Sequence, residues 1–238
     1  MSELFSIQLQ NRQQQGRDGV WLDLPTTTEQ VQAALRQIGI SSDNPQGLFV
    51  SGYFAEEEKR FAIPYNMVLA SSVDELNFLA ARLETLSAGE RAELNAALQA
   101  PQSELSSIGK ITDFPENVDY YVHLPEIHGP AQLGDYYLNR SGMVDMPEEW
   151  KGGIDTAQFG RYVAQQEQGV FTQYGYLVKS GDEWQKVHEG QPVPEEYRVL
   201  SFPAPEILRD AVNIPPPIQS GPQRQKVLPI ILLSLIHI

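Results

Sequence analysis

The sequence predicts an α+β protein made of three small domains. Alternating apolar and polar residues predict strands in the first and last thirds of residues 1–203, and periodic apolar residues behind capping signals predict helices. Apolar residues make up 41% of the 238 residues, which is enough to form hydrophobic cores. Acidic residues outnumber basic ones, so we expect the folded surface to be acidic.

The first section is predicted to be an α+β domain over residues 1–66. Its strands, helix and third strand are predicted in this order: residues 3–9, 19–24, 26–40 and 47–54. The first two strands are joined through Gly16 and Gly19. Thr26 or Thr27 is a suitable N-cap for the helix, and Gly39 suits the position just after its end.

The middle section, residues 67–112, is predicted to be helical. Ser72 caps one helix and Ser87 caps the next, where Glu90 completes a capping box. Pro101 stops the second helix because proline cannot continue it. Residues 103–108 are predicted to add one short turn.

The third section, residues 113–203, is predicted to be a second α+β domain. A strand, two helices, a hairpin and a closing strand are predicted in this order: residues 118–124, 131–142, 154–169, 169–187 and 195–202. Asp155 is the expected N-cap of the second helix, and Gly169 is expected just after its end. The hairpin is predicted to turn at residues 180–182, where Ser-Gly-Asp favours a turn.

The two ends of the sequence differ in character from the body. Residues 204–238 are proline-rich and then apolar for about a dozen residues, which is short of the roughly 20 that span a membrane. The ending LSLIHI resembles translated sequencing-adapter read-through, so we interpret this tail as artefactual, with a short membrane or partner anchor as the alternative. The N-terminal residues lack the pattern of a signal peptide, and we expect a cytoplasmic protein.

The sequence contains no recognisable catalytic or metal-binding motif. It has no cysteine, which excludes disulfides, thiolate zinc sites, iron–sulfur clusters and a cysteine nucleophile. His123 and His128 are five residues apart around Pro125 and do not form the i, i+4 pair of a helical zinc site. Phosphate-binding, serine-hydrolase and calcium-loop motifs are also missing. We therefore expect no cofactor and no metal, and we expect that the protein is not an enzyme.

Charge is the most informative property of this sequence. With 17 basic and 31 acidic residues the net charge is −14, and the pI is about 4.6. Residues 113–206 hold 16 acidic and 6 basic residues, net −10. Such a chain is a poor ligand for nucleic acids and for anionic membranes, and it favours a basic partner. Carboxylates fixed on a folded surface could imitate DNA, which carries one charge per ~1.7 Å of its axis.

Several stretches in order resemble the ArdA antirestriction proteins. They are GVWLDLPTTTEQVQAALRQIGI (19–40), SSVDELNFLAARLETLS (71–87), LGDYYLNRSGMVDMPEEW (133–150), IDTAQFGRYVAQQEQGVFTQYGYL (154–177) and PEEYRV (194–199). The resemblance implies an elongated, acidic, three-domain homodimer that mimics bent B-form DNA, with its dimer contact within residues 113–203. Residues 154–169 carry glutamines where family members often carry acids.

The resemblance also implies a partner and a mode of action. The protein would occupy the DNA-binding groove of type I restriction–modification enzymes, on their specificity and methyltransferase subunits, and so protect incoming mobile DNA. Carboxylates spread over the third section would then replace phosphates. The candidates for this phosphate-mimicking surface are Asp113, Glu116, Asp119, Glu126, Asp135, Asp145, Glu148, Glu149, Asp155 and Glu167.

Two other functions remain open from the residues alone. The chain could be an acidic binding module for another basic DNA-binding protein, such as a nucleoid or regulatory protein. It could also be a hydrolase that uses a carboxylate pair, for which adjacent acids such as Asp182–Glu183 and Glu195–Glu196 are candidates. A hydrolase requires a cleft and a raised carboxylate pKa, whereas a binding module requires neither.

Overall fold

A computed structural model describes residues 4–14, 18–41, 47–56, 60–101 and 103–200. Within these ranges the chain is a mixed α+β protein with two three-stranded antiparallel sheets. The predicted mixture of helices and strands is therefore confirmed. Gly16 and the predicted tail, residues 204–238, lie outside the described residues.

The first sheet confirms the three strands predicted in the N-terminal section. It consists of β1 (Phe5–Asn11), β2 (Val20–Leu24) and β3 (Leu48–Phe54), in the order β2-β1-β3. Alternate residues of β1 are buried, so one face of the sheet packs on the core while the other faces outward. The register between β1 and β3 shifts at Gln8/Leu9, which marks a β-bulge.

Helix α1 (Thr28–Gln37) follows the first hairpin and covers the inner face of this sheet. Thr27 is its N-cap: the Thr27 side chain accepts a hydrogen bond from the backbone of Gln30, whose side chain accepts from the Thr27 backbone. Gly39 lies just past the end of the helix with a φ of +67°, a conformation that glycine adopts without strain. Both predicted ends of this helix are confirmed.

The middle section is helical, as predicted, with one extra helix. Ser72 and Ser87 cap the two long helices, each in a reciprocal capping box with a glutamate three residues later. The predicted turn over residues 103–108 is instead a helix that begins at Ile108, because Ser107 serves as its N-cap. The helices are α2 (Tyr65–Leu69), α3 (Val73–Glu84), α4 (Ala88–Gln99) and α5 (Ile108–Thr112).

The second sheet forms in the C-terminal section. It consists of β4 (Tyr121–Leu124), β5 (Val170–Thr172) and β6 (Gly175–Lys179), in the order β4-β6-β5. The strand predicted over residues 118–124 is only half correct, because Val118–Tyr120 form a 3₁₀ turn. That turn is preceded by another at Phe114–Glu116.

Two glycines bring the main helices of this section into close contact. The helices are α6 (Pro130–Asp135), which continues into a π-helical turn (Tyr136–Arg140), the short α7 (Glu148–Lys151) and α8 (Thr156–Glu167). A Cβ atom on Gly134 would lie 1.9 Å from the Thr156 carbonyl oxygen, and one on Gly160 would lie 1.8 Å from the Pro130 carbonyl oxygen. The backbones of α6 and α8 are therefore packed against each other.

The predicted hairpin turn lies in the wrong place. The chain reverses at Gln173 and Tyr174, because Thr172 pairs with Gly175 and its hydroxyl donates to the Gly175 carbonyl at 2.9 Å. Gly175 has a φ of +121°, which favours glycine at this turn. At the predicted position the Ser180 backbone N–H donates to Tyr120 O, so residues 180–182 leave the sheet without starting a new strand.

The closing strand predicted over residues 195–202 is also incorrect within the described residues. Glu195–Tyr197 form a 3₁₀ turn. The backbone N–H groups of Val199 and Leu200 donate to the Asp74 carboxylate, at 2.8 and 2.9 Å, instead of to a neighbouring strand. A side chain of α3 thus replaces the strand partner that the pattern predicted.

Helix α8 ends as predicted, with Gly169 directly after the last capping residue. The left-handed residue is Gln168, with a φ of +56°, and Gly169 follows it. Gly169 serves another purpose, since a Cβ atom there would lie 1.9 Å from the Tyr176 phenol oxygen. The glycine therefore makes room for Tyr176.

One hydrophobic cluster runs through all three sections, from Leu4 to Val199. A smaller cluster contains Ile127, Leu133, Ala164 and Tyr176, between α6, α8 and the second sheet. The proposed division into three domains, with boundaries at 66, 112 and 203, stays a prediction. No helix among the described residues is long and apolar enough to cross a membrane.

Candidate functional site

Six of the ten carboxylates proposed from the sequence are exposed. They lie in short connecting elements and at helix starts, where the backbone is held by hydrogen bonds of the adjoining turns and helices. Their side chains are therefore presented outward from defined positions. The six are Asp119, Glu126, Asp145, Glu148, Glu149 and Asp155.

Two of these exposed acids also have local roles. Glu148 accepts a hydrogen bond from Lys151 Nζ at 2.6 Å, although the Glu148 side chain is still 81% exposed. Asp155 caps α8, since its Oδ1 accepts from the backbone N–H groups of Ala157 and Gln158 at 2.9 and 3.0 Å. The predicted role of Asp155 as the N-cap of α8 is confirmed, and this residue is exposed to solvent although its carboxylate forms these hydrogen bonds.

Asp135 and Glu116 are partly exposed and paired with arginines of the same chain. Asp135 Oδ2 lies 3.5 Å from Arg140 Nε, and Asp135 Oδ1 accepts from the Asn139 amide at 2.8 Å. Glu116 forms a hydrogen-bonded ion pair with Arg82 of α3. These pairs partly neutralise the two carboxylates and reduce what they offer to a partner.

Asp113 does not belong to an accessible surface. Its side chain is fully buried, at 0% exposure. Its carboxylate accepts three backbone hydrogen bonds, from Val187 at 3.2 Å, His188 at 2.6 Å and Glu189 at 3.1 Å. A fully buried carboxylate that accepts from three backbone donors holds the chain together and cannot meet a partner's cations, so burial removes Asp113 from the candidate surface.

Glu167 is half-buried and binds two tyrosines. Its carboxylate accepts hydrogen bonds from the phenols of Tyr137 and Tyr176, the second at 3.0 Å. Burial, followed by the nearby Glu167 carboxylate, raises the pKa of both phenols above the usual range. Glu167 therefore joins the end of α8 to the π-helical turn and to β6, a structural task that leaves it poorly placed for a partner.

Glu93 is an unusual acid that the sequence analysis did not single out. Burial, followed by the nearby carboxylates of Glu90 and Asp119, raises the pKa of Glu93 to about 8. Glu93 is therefore mostly protonated at neutral pH and adds little to the net charge. Nothing in the sequence signals this state, because Asp119 approaches α4 only in the folded chain.

Four further exposed acids extend the charged surface beyond the ten proposed. Asp182, Glu183, Glu195 and Glu196 are all exposed. In the sequence they stand out only as adjacent pairs, an arrangement that a hydrolase could use. Exposure makes them better suited to contact a basic partner than to form a catalytic pair, which requires a desolvated cleft.

The histidines and acids show no metal site in the described part of the chain. No group of three or more such residues is arranged to hold a metal ion there. His123 Nε2 lies 2.8 Å from the Tyr174 carbonyl oxygen, and His128 is exposed. His188 packs edge-on against Phe78, with ring centroids 5.0 Å apart.

Comparison with known proteins gives a family match. A family model described as antirestriction protein (ArdA) matches residues 15–178, well over half of the chain. A comparison with curated proteins finds no match. The matched range includes all six exposed carboxylates, from Asp119 to Asp155, and the second sheet up to Val178, whereas β1 lies before it. The resemblance drawn from the sequence is thus confirmed, and the chain belongs to the ArdA family of antirestriction proteins.

Proposed function

We propose that the protein inhibits type I restriction–modification enzymes by imitating DNA. Its exposed carboxylates take the positions of phosphates and occupy the DNA-binding groove of the specificity and methyltransferase subunits. Incoming plasmid or transposon DNA is thereby protected from cleavage. The protein acts as an inhibitor and performs no catalysis. The observation that carries the proposal is the set of six exposed carboxylates, found in a chain that belongs to a family of antirestriction proteins.

The energetics of such a surface favour many weak contacts over one strong contact. An exposed ion pair contributes only about 0–1 kcal/mol, so affinity requires several pairs acting together. The carboxylates are already fixed by folded elements, which reduces the entropy that is lost on binding. Salt screens contacts of this kind, so inhibition should weaken as ionic strength rises.

The structure narrows the proposed phosphate-mimicking surface. Asp113 and Glu167 are used inside the fold, while Glu116 and Asp135 are paired with arginines. The proposed contact set is therefore Asp119, Glu126, Asp145, Glu148, Glu149 and Asp155, together with the exposed acids Asp182, Glu183, Glu195 and Glu196. An elongated homodimer that meets within residues 113–203, in the cytoplasm, completes the proposal.

Inhibition of a purified type I restriction enzyme tests this function. The full chain is titrated against cleavage of unmodified DNA at a low and a high salt concentration. Inhibition at near-stoichiometric protein that is relieved by extra DNA or by salt supports competition by a polyanion. Absence of inhibition across several type I enzymes, from a folded dimer, would refute the proposal. Salt-sensitive binding to another basic DNA-binding protein would then support the acidic-module alternative.

A further inference from the structure

The outward face of the first sheet carries two exposed aromatic side chains. Trp21 on β2 is 50% exposed and Phe54 at the end of β3 is 58% exposed. The opposite face of the same sheet is fully packed, with Ile7, Leu9 and Leu24 at 0% exposure. Aromatic residues left outward while the inner face is complete are typical of a contact surface, since large exposed rings are costly to keep in water.

The strand register holds the two rings together. Trp21 pairs with Gln8, and Gln8 pairs with Gly52, so Trp21 and Gly52 lie in one row across the sheet. A Cβ atom on Gly52 would lie 3.1 Å from the Trp21 ring. Glycine therefore leaves room for the indole to extend toward Phe54, and the two rings meet edge to face with centroids 6.4 Å apart.

A carboxylate lies beside the aromatic pair. The next row of the sheet contains Asp23, Ser6 and Phe54, and Asp23 is exposed. Ser6 Oγ donates to Asp23 Oδ1 at 2.6 Å, which holds that carboxylate on the sheet face. An exposed aromatic ring next to a fixed carboxylate suits a guanidinium group, which stacks on the face of a ring and donates to a carboxylate in its own plane.

The same face already shows this type of contact inside the chain. Phe49 pairs with Gln10 on the outward side of the sheet, and the Arg12 guanidinium lies over the Phe49 ring, 5.3 Å from its centroid. An arginine on an aromatic ring is thus compatible with the geometry of this face. At the other end of the face, the Trp21–Phe54 pair and Asp23 offer a similar surface to an arginine from outside.

We propose that Trp21, Phe54 and Asp23 bind an arginine side chain of the basic protein partner, as an apolar anchor separate from the phosphate-mimicking carboxylates. This inference rests on the proposed function for the identity of the partner. Charge complementarity selects that occupant, because a chain of net charge −14 attracts basic surfaces and Asp23 is ready to pair with their arginines. Arginine is preferred over lysine because the planar guanidinium stacks on a ring while its N–H groups donate to a carboxylate in the same plane.

Matched substitutions test the anchor in the inhibition assay. Trp21→Leu and Phe54→Ala should each raise the protein concentration needed for half-inhibition by about tenfold, a typical loss at an aromatic anchor. Asp23→Asn, which keeps the shape of the side chain, should raise it by a smaller factor. Phe49→Ala removes a ring from the same face whose surface is already covered by Arg12, and it should stay within about twofold of the parent protein.

The outcomes separate this inference from the proposed function. If the parent protein inhibits and folded Trp21→Leu and Phe54→Ala variants inhibit equally well, the anchor is refuted and the DNA-mimic function stands. If the parent protein does not inhibit, the proposed function fails and peptide binding decides on the anchor. An oligoarginine peptide should then shift the Trp21 indole N–H resonance more than an oligolysine peptide of equal length. Equal or absent shifts would refute the anchor.

Discussion

Burial, and not charge, divides the acidic residues of this protein into two groups. Asp119 is exposed in a 3₁₀ turn, whereas Asp113, six residues earlier, is fully buried and accepts three backbone hydrogen bonds. Asp74 likewise accepts two backbone hydrogen bonds, from Val199 and Leu200. Such internal carboxylates contribute to folding, and only the exposed group is available to a partner.

Replacement of Asp113 by asparagine should destabilise the protein. Asp113 Oδ2 accepts from the N–H groups of Val187 and Glu189, and an amide NH₂ in that position would face two donors. We expect a loss of about 2–3 kcal/mol in the free energy of unfolding, measured by urea denaturation. Asp119→Asn, at an exposed site, should change it by less than about 0.5 kcal/mol when both variants are measured at pH 5, where Glu93 is protonated in the folded chain. Equal effects of the two substitutions would contradict the assigned role of Asp113.

Glu93 should make stability depend on pH. Its pKa in the folded chain, about 8, lies above its ordinary value of 4.5, so folding favours the protonated form. The stabilisation is therefore complete below pH 4.5 and is lost as the pH rises through 8. Glu93→Gln should remove this loss and be more stable than the parent at pH 8.5 by roughly 1–2 kcal/mol, a value reduced for partial solvent screening.

The measurement for Glu93 is urea unfolding at pH 5, 7 and 8.5. The difference between Glu93→Gln and the parent should grow with pH across this range. Asp119→Asn provides a second test. Removing one of the two neighbouring charges should lower the pKa of Glu93, so this variant should lose less stability than the parent between pH 5 and pH 8.5. A parent protein whose stability stays level from pH 5 to 8.5 would disprove this assignment.

At the scale of elements, helix ends and helix contacts obey different rules. The starts of α1, α3, α4 and α8 follow from local chemistry, since Thr27, Ser72, Ser87 and Asp155 each accept a backbone hydrogen bond. The contact between α6 and α8 depends instead on two glycines that are distant in sequence. A pattern search along the chain detects the caps and not this contact.

Gly134→Ala and Gly160→Ala should each destabilise the protein strongly. The added Cβ atom would lie within 2 Å of a backbone carbonyl oxygen of the facing helix, and backbone cannot move aside as a flexible side chain can. We expect a loss of about 3 kcal/mol in the free energy of unfolding, at the upper end for overpacking. Urea denaturation followed by circular dichroism provides the measurement.

Gly89→Ala is the matched control for this contact. Gly89 also lies in a helix, but a Cβ atom there would meet nothing within 4 Å. Alanine is the better helix former, so this change should be neutral or stabilising by up to about 1 kcal/mol. Effects of Gly134→Ala and Gly160→Ala as small as that of Gly89→Ala would mean that the α6–α8 contact is looser than the structure shows.

The chain after β6 illustrates how side chains can replace a sheet. Asn117 accepts from the Gln185 backbone N–H at 2.7 Å and donates to its carbonyl at 3.0 Å. Asn77 donates to the Tyr197 carbonyl at 3.0 Å. Polar side chains of other elements thus bind several backbone groups between residues 185 and 200, including those of the predicted closing strand, which explains why that strand does not form.

At the scale of the whole molecule, inhibition should depend on the number of exposed acids. A single neutralisation should change inhibition less than about fivefold, because one exposed ion pair contributes at most about 1 kcal/mol. Neutralising five together should weaken inhibition by at least about a hundredfold. The five are Asp119, Glu126, Asp145, Glu148 and Glu149.

Charge-preserving exchanges provide the control for this prediction. Replacing the same five residues by the other acid, aspartate for glutamate and the reverse, alters the side chains without changing the net charge. This variant should inhibit within about tenfold of the parent, since exposed pairs tolerate changes in geometry. A single substitution that abolished inhibition in a folded protein would argue against a distributed surface.

The sequence by itself determined the local elements and the family. Strand alternation in β1, the caps at Thr27, Ser72, Ser87 and Asp155, and the ordered family stretches all depend on neighbouring residues, so they are visible along the chain. The net negative charge also follows from composition alone, and it favours a basic partner without identifying one.

Only the tertiary structure decided which acids are exposed and which are buried. Asp113 and Asp119 lie in the same stretch, yet one is closed in by residues 187–189, about 75 positions later, while the other stays exposed. The neutral state of Glu93 likewise depends on Asp119, a residue that is distant from it in sequence. The physical reason is that burial and hydrogen-bond partners come from long-range packing, which the order of residues does not display.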